Sequence, residues 1–301
     1  MEIFHNMDLV TVTCNRDFQH MLLQAESIQK FLEPCHHWIV INEYEDLDIK
    51  KWQNVLSKFY TKHTYKILTP DDFSMDATAY RYRKWYGQQY FKLAISKFIN
   101  KDYLILDTKS FFIRPDSLTN WYDTMGSGIL HKFGESIDGP PWEDISLHYS
   151  KVFNTEPLTH FLFNVPFKVN IDLLKKYNRT RNLMDDLYPT QEEEQNYFEL
   201  KDKKLFPSEF ILYSYIAREH FNDYKHKERS FLYVVPAHVR DKNETQILVE
   251  IMRKILDSER NTIITTFALH PLVFNNLSNK HVDYINKWLT KLGLNFQFNY
   301  K

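Results

Sequence analysis

Short runs of apolar, largely β-branched residues alternate along this chain with longer amphipathic segments, and that alternation constrains the fold most. Residues 9–12 and 38–41 are apolar runs of strand length, and residues 18–32 between them carry apolar side chains on one helical face. Strands separated by helices pair in parallel, because each helix returns the chain to the starting edge of the sheet. The sequence therefore predicts an α/β fold with a mostly parallel sheet flanked by helices.

The same pattern predicts the remaining elements. We expect strands over residues 65–68, 103–106, 111–113, 126–130, 161–167, 231–235 and 262–269. We expect helices over residues 47–60, 81–99, 171–177, 208–221, 244–256 and 282–292, and a loop rich in glycine and proline over residues 132–143. These elements suggest one α/β domain over residues 1–240 and a C-terminal, largely helical annex over residues 241–301 packed on it.

The composition excludes several classes of protein. Of the 301 residues, 38 are basic and 39 acidic, so the formal net charge is −1 and no clustered basic face indicates a nucleic-acid partner. The chain has only 6 glycines and contains neither the GxxxxGK[ST] nor the GxGxxG pattern. A bound nucleotide must therefore be held without a glycine-rich phosphate loop.

Cysteine usage and the N-terminal segment suggest where the protein works. Cys14 and Cys35 form neither a disulfide framework nor a zinc-binding pattern. The first residues do not resemble a signal peptide, and no apolar run approaches the roughly 18–20 residues of a membrane span. We therefore expect a soluble, cytoplasmic protein. Low glycine with abundant Tyr, Phe, Asn and Lys points to an AT-rich genome, viral or bacterial.

Polar residues follow the predicted strands, at the edge where open α/β sheets bind ligands. Amides, carboxylates, histidines and ammonium groups at this edge are able to hold a nucleotide diphosphate. The residues concerned are Asn15, Arg16, Asp17, Asn42, Asp107, Lys109, His238 and His270.

Three segments carry a family resemblance. Residues 88–94 read QQYFKLA, residues 103–115 read YLILDTKSFFIRP, and residues 207–213 read PSEFILY. In this order they resemble the GT-A-fold, nucleotide-sugar-dependent glycosyltransferases, and more closely an uncharacterised family with QQxxKL, LDxDxxFxRP and SE[YF]xLY motifs. The resemblance spans about residues 9–215.

The resemblance implies a GT-A fold, a UDP-sugar as donor substrate, and Mn²⁺ or Mg²⁺ as cofactor. The glycan or other hydroxyl compound that accepts the sugar is not identified by it. The residues expected to contact the donor are Thr13, Asn15, Arg16, Asn42, Arg83, Gln89, Lys92, Asp107, Thr108 and Lys109.

One departure from the family pattern leaves the cofactor open. The second acid of the family's Asp-x-Asp is Lys109 here. Either Asp107 still binds the metal ion with help from His238 or His270, since hard cations take several oxygen ligands and donor phosphates supply some. Or Lys109 itself neutralises the diphosphate and takes a catalytic role. A third interpretation is that Lys109 only points outward from its strand.

Glu209 is the candidate for the base that activates the acceptor, because an inverting transferase needs a carboxylate within hydrogen-bond reach of the acceptor hydroxyl. If the enzyme is retaining, Glu209 orients the acceptor instead. Ser208 precedes it as a predicted N-cap, so Glu209 also suits a merely structural role as an acid in the first helical turn.

Together these features predict an enzyme that moves a sugar from a UDP-sugar to an acceptor hydroxyl and hydrolyses the donor slowly. The alternative from another class is a degenerate transferase that binds nucleotide sugars without turnover, which the lysine at position 109 favours. An unrelated Rossmann-like enzyme such as a methyltransferase is disfavoured by the missing glycine fingerprint.

Overall fold

The computed structural model describes residues 7–43, 47–74, 84–118, 129–130, 142–158, 167–187, 208–218, 225–226, 232–234, 266–269 and 277–299. The strands in these ranges are β1 (Asp8–Thr13), β2 (His36–Ile41), β3 (Thr64–Leu68), β4 (Tyr103–Asp107), β5 (Ser110–Phe112), β6 (Ile129–Leu130), β7 (Phe167–Val169), β8 (Lys225–His226), β9 (Leu232–Val234) and β10 (Thr266–Leu269). The helices are α1 (Phe18–Phe31), α2 (Ile49–Leu56), α3 (Lys84–Ala94), α4 (Trp142–Val152), α5 (Ile171–Asn178), α6 (Leu183–Leu187), α7 (Glu209–Ile216) and α8 (Asn279–Lys291).

The main sheet has five strands in the order β3-β2-β1-β4-β7. The pairs β1–β2, β2–β3 and β1–β4 are parallel, and β7 runs antiparallel to β4 at the edge. All six residues of β1 are buried, as expected for a central strand covered on both faces. The predicted α/β fold with a mostly parallel sheet is thus confirmed.

Neighbouring residues of the central strands supply two different cores. On β1, Val10 packs into a core with α3, α5 and α7, while Leu9 packs into a core with α1 and α2. On β4, Ile105 joins the first core and Leu104 the second. Successive strand residues point to opposite faces, so two apolar layers form and helices cover both sides of the sheet.

Helix starts are set by side chains that accept the first free N–H groups. The Asp48 carboxylate accepts from the Lys51 N–H at the start of α2, and Asn170 does the same for α5. Ser208 Oγ accepts from the Ile211 N–H at 3.3 Å, which confirms its predicted role as the N-cap of α7.

The chain changes sheets between β4 and β5. β5 belongs to a second sheet with the order β5-β10-β9, in which β10 is antiparallel to β5 and parallel to β9. The residues between the two strands, Thr108 and Lys109, form a tight turn. This turn lies at the carboxyl ends of β1 and β4, the edge at which a ligand was predicted.

The C-terminal helix shares a core with the N-terminal half of the chain. Trp288 of α8 packs with Phe111 of β5, Phe267 of β10 and Leu23 of α1. The division into a domain and an annex at residue 240 stays a prediction.

Two predicted boundaries differ from the structure. The loop predicted over residues 132–143 does not include its last two residues, because α4 begins at Trp142 with acidic residues in its first turn. The strand predicted over residues 161–167 falls outside the described residues except for Phe167, which belongs to β7. The helix predicted to residue 99 ends at Ala94 and continues only as a short 3₁₀ helix.

Other expected elements fall wholly or partly outside the described residues, including the predicted helix 244–256. Within the part of the chain that the structure describes, no helix combines the length and the apolar character needed to cross a membrane.

Candidate functional site

The carboxyl ends of β1, β2 and β4 bring the predicted polar residues to one edge of the sheet. Val12 of β1 is the register partner of Asp107, and the Asn42 N–H donates to the carbonyl of Thr13 at 2.8 Å. Thr13 and Asn42 are both buried. Thr13, Asn42 and Asp107 therefore lie at the same edge of the sheet.

Four charged side chains form a continuous chain at this edge. Lys92 Nζ lies 2.6 Å from Glu209 Oε1 and 3.5 Å from Asp107 Oδ1. Lys109 Nζ lies 2.9 Å from Asp107 Oδ2. The order Glu209–Lys92–Asp107–Lys109 alternates in sign, and its members come from α7, α3 and the end of β4 with its turn. We call this set the charged chain.

The charged chain runs from the interior to the surface. The Glu209 side chain is 0% exposed and Lys92 is 5% exposed, whereas Lys109 is 20% exposed. The Lys92 ammonium also lies over the Phe210 ring, 5.4 Å from its centroid. Charges this deeply buried are retained only when they are paired, so the Lys92–Glu209 pair fixes α7 against α3.

Burial and pairing shift the pKa values of these groups in different directions. Burial alone would raise the pKa of Asp107, but Lys109 and Lys92 outweigh it and hold that pKa well below the usual range. Burial also opposes the charge on Lys92, yet Glu209 and Asp107 raise its pKa above the ordinary value. For Glu209 burial dominates over the attraction of Lys92, and its pKa is raised.

Glu209 has one carboxylate oxygen engaged and one unengaged. Oε1 accepts from Lys92, while buried Oε2 makes no hydrogen bond to another described residue. The Thr13 hydroxyl, also buried, lacks a hydrogen-bond partner within the described ranges. Buried polar atoms in proteins are nearly always satisfied, so these two atoms are candidates for contacts beyond the described residues.

Asn15 and Arg16 lie just beyond β1, in a short 3₁₀ helix. The Asn15 side chain accepts from Trp52 Nε1 at 3.1 Å, and its N–H donates to Glu43 at 3.1 Å. Arg16 pairs with neighbouring Asp17, and its side chain is 71% exposed. Asn15 is therefore anchored in a defined position, whereas Arg16 extends into solvent.

The structure gives the positions of some of the other residues that were predicted to contact the donor. Gln89 is buried within α3, and the Thr108 hydroxyl donates to the Val12 carbonyl at 3.1 Å, which ties the turn to β1. Arg83, His238 and His270 lie outside the described residues. Lys109 does not simply point outward, because its ammonium folds back onto Asp107.

The described residues do not fit a divalent cation at Asp107. Each Asp107 oxygen already faces an ammonium group, from Lys92 on one side and Lys109 on the other. In the described ranges no three His, Cys, Asp or Glu side chains cluster as metal ligands would. Mn²⁺ and Mg²⁺ need several hard oxygen ligands and are repelled by adjacent cations, so the described residues alone do not supply such ligands at Asp107.

Sequence reasoning missed the direct pairing of Lys92 with Glu209 and the role of Gln24, whose amide contacts the Asp107 and Ser110 carbonyls. Lys92 and Glu209 are 117 positions apart, and no local pattern reports such a contact. The only available signal was that both belong to the segments resembling family motifs.

No protein-family model matches the chain, and neither does any curated protein. Among solved structures, the chain is similar to the galactosyltransferase LgtC in complex with donor and acceptor sugar analogs, at 13% identity and a TM-score of 0.46 over 95% of each chain. It is similar to mouse xyloside xylosyltransferase 1, at 10% identity and a TM-score of 0.45 over 90% of this chain and 99% of that one. It is also similar to the glycosyltransferase GlyE of Streptococcus pneumoniae TIGR4, at 11% identity and a TM-score of 0.44, over 98% of this chain and 66% of that one. Similarities of this size assign no residue roles in this chain.

Proposed function

We propose that this chain is a glycosyltransferase that moves a sugar from a UDP-sugar to an acceptor hydroxyl and hydrolyses the donor slowly. The observation that carries the proposal is the convergence of Lys92, Asp107 and Glu209 in one charged chain. Each comes from a different segment among the three that resemble glycosyltransferase motifs. A purely structural role for these segments would not explain why all three residues meet at the ligand-binding edge of the sheet.

The proposed donor position follows from the charges. The nucleoside lies near Asn15, Arg16 and Asn42, and the diphosphate lies beside Lys109, the partly exposed end of the charged chain. As the bond to the sugar breaks, negative charge develops on the departing UDP. A fixed ammonium group near that charge stabilises the transition state without having to reorganise. Lys109 is thus proposed as a catalytic residue.

Glu209 is proposed as the base that receives the proton of the acceptor hydroxyl. Its Oε2 atom makes no hydrogen bond to another described residue, and burial raises its pKa, which makes the carboxylate a better proton acceptor. Lys92 holds the other oxygen at 2.6 Å and fixes the orientation of the carboxylate. Because the Glu209 side chain is buried, the acceptor must reach Oε2 through a rearrangement of the covering residues.

The charge on the donor can be neutralised in two ways, and the geometry favours lysine. Two ammonium groups already occupy both oxygens of Asp107. We therefore propose that Lys109 performs the neutralisation. A metal ion on Asp107 with His238 or His270 is the competing arrangement, and binding of that ion requires Lys109 to leave Asp107.

The test is calorimetric titration of UDP into the full chain with EDTA and then with Mn²⁺, followed by assays of UDP release from a panel of UDP-sugars. We expect the dissociation constant to be the same in EDTA and Mn²⁺, and Lys109→Ala to weaken UDP binding by about tenfold or more. The matched control is Lys101→Ala, which removes an ion-paired lysine at the opposite end of β4 and is expected to leave UDP binding unchanged.

The outcomes separate the alternatives. Binding that requires Mn²⁺ would assign the charge role to a metal ion on Asp107. UDP affinity without release of UDP from any UDP-sugar would indicate the degenerate, binding-only protein. No UDP affinity under either condition would contradict the donor site altogether. In an active protein, Glu209→Gln is expected to abolish transfer while UDP binding persists.

A further inference from the structure

A second buried polar network approaches the Asp107–Ser110 turn from the opposite face of the sheet. Gln24 of α1 is fully buried, and its Nε2 amide donates to the Asp107 carbonyl at 2.7 Å and to the Ser110 carbonyl at 2.8 Å. These two carbonyls lie on either side of Thr108 and Lys109. One side-chain amide therefore bridges both ends of the turn that carries two members of the charged chain.

The network continues away from the turn through three more buried side chains. Gln24 Oε1 lies 2.8 Å from Thr11 Oγ1, and Thr11 Oγ1 lies 2.9 Å from His37 Nε2. His37 Nδ1 lies 2.6 Å from the Tyr60 hydroxyl. We call the set Tyr60–His37–Thr11–Gln24 the neutral chain.

The direction of every hydrogen bond in the neutral chain can be derived from its end at the turn. Peptide carbonyls only accept, so the Gln24 NH₂ group must face them and Oε1 must face Thr11. Because Oε1 also only accepts, Thr11 donates its single hydroxyl proton to it. Thr11 Oγ1 has no further proton, so its contact with His37 requires a proton on Nε2.

The state of His37 follows. Burial lowers the pKa of His37 to about 3, so the ring is neutral and carries one proton, on Nε2. Nδ1 is then bare and accepts from Tyr60, whose hydroxyl keeps its proton because burial raises its pKa well above the ordinary value. Each donor meets an acceptor, and the Gln24 amide has only one orientation that satisfies the chain.

We infer that Gln24 is a positioning residue for the donor site: it bridges the carbonyls of Asp107 and Ser110, and the neutral chain behind it fixes its amide orientation. It acts through the turn and touches no reacting group. This inference rests on the proposed function where it concerns UDP. The hydrogen-bond directions from the turn to His37 Nε2, and the clamping of the turn, stand on the geometry alone.

The test compares Gln24→Leu with Ser27→Ala in the full chain. Ser27 is the matched control, because it is equally buried one turn along α1 and its hydroxyl accepts from the Phe112 N–H at 3.0 Å, beyond the turn. The same hydroxyl donates to the Gln24 backbone carbonyl at 2.7 Å but does not contact the side-chain amide that bridges the turn. We expect both variants to lower thermal stability. Only Gln24→Leu is expected to weaken UDP binding, by about tenfold. Equal effects of both variants on UDP affinity would overturn the positioning role.

Two measurements need no ligand and so separate this inference from the proposed function. Mass-spectrometric hydrogen exchange is expected to show about fivefold or more faster exchange at residues 107–110 in Gln24→Leu than in Ser27→Ala. Nitrogen-15 NMR of the unaltered protein is expected to show His37 protonated on Nε2 and bare on Nδ1 at pH 7. A proton on Nδ1, or unchanged exchange at the turn, would overturn the inference even if UDP binds.

If the unaltered protein binds no UDP, the proposed function fails while the exchange and NMR results still decide whether Gln24 clamps the turn. If Gln24→Leu does not fold, the His37 protonation state still tests the hydrogen-bond directions, because it is measured without a substitution.

Discussion

The charged chain and the neutral chain meet at the same turn from opposite faces of the sheet, and they follow different rules. In the neutral chain every donor has an acceptor and no member carries charge. In the charged chain, Glu209 Oε2 makes no hydrogen bond to another described residue, and Lys109 is partly exposed. A fully satisfied network fixes geometry, whereas a network with an unengaged atom and an accessible charge is suited to bind a ligand.

Because one network is charged and the other is neutral, we expect them to respond differently to substitution and to pH. Truncating one member of a buried ion pair leaves an uncompensated charge, which costs far more than losing one neutral hydrogen bond. Protonation, in turn, disrupts the neutral chain at its histidine.

The largest expected effect is that of Lys92→Met. This change keeps the side-chain volume but leaves Glu209 buried without its counter-ion, and we expect it to lower the free energy of unfolding by about 3–5 kcal/mol at pH 7. Urea unfolding measures the loss. The control is Lys92→Met combined with Glu209→Gln, which removes both charges and should recover much of the lost stability. Equal losses in the single and double variants would contradict the pairing.

That loss should depend on pH in a defined direction. The pKa of Glu209 is raised by burial, so between its unfolded value of about 4.3 and its folded value the native state holds more protons than the unfolded state. The free energy of unfolding then falls as pH rises. Loss of Lys92, which lowers the pKa of Glu209, raises that pKa further, so the stability of Lys92→Met falls more steeply with pH and its deficit should be smaller at pH 5 than at pH 7.

An intermediate effect on the free energy of unfolding is expected when His37 is protonated. Its pKa is about 3 in the folded protein and about 6.5 in the unfolded chain, so within that window the unfolded state holds more protons. The contribution to stability is fully present above about pH 6.5 and is lost as pH falls, by about 2 kcal/mol between pH 7 and pH 5. Unfolding of the unaltered protein and of His37→Gln across this range measures it. Parallel pH curves for the two would show that His37 is accessible to protons.

The smallest expected effect is that of Ser208→Ala, which removes the N-cap of α7, the helix that carries Glu209. We expect a loss of about 1 kcal/mol in the free energy of unfolding. Asn170→Ala, which removes the N-cap of α5, is the matched control and should cost a similar amount. Under the proposed function only Ser208→Ala should also slow sugar transfer, because only it disturbs the position of Glu209. Equal slowing by both would indicate a general loss of stability.

Much of the fold could be predicted because its signals are local. The apolar runs around Val10 and Ile105 lie within strands of the observed sheet, and Ser208 caps the helix it was predicted to cap. The start of α4 at Trp142 was missed because glycine and proline residues just before it favoured a loop.

The candidate site was predicted less completely than the fold. Asp107, Lys92 and Glu209 were named individually from motif resemblance, yet their meeting was not visible in any spacing. The cationic surroundings of Asp107 were likewise hidden, because they depend on where α3 lies relative to β4.

The sequence by itself determined the alternation of strands and helices, the polar strand ends, and the replacement of an acid by Lys109. These features depend on the periodicity and the type of residues that lie close together in the sequence. Only the tertiary structure decided that Glu209 pairs with Lys92, that two lysines surround Asp107, and that Gln24 bridges the turn. Such contacts join residues far apart in the chain, and packing of the helices against the sheet sets them rather than any local preference.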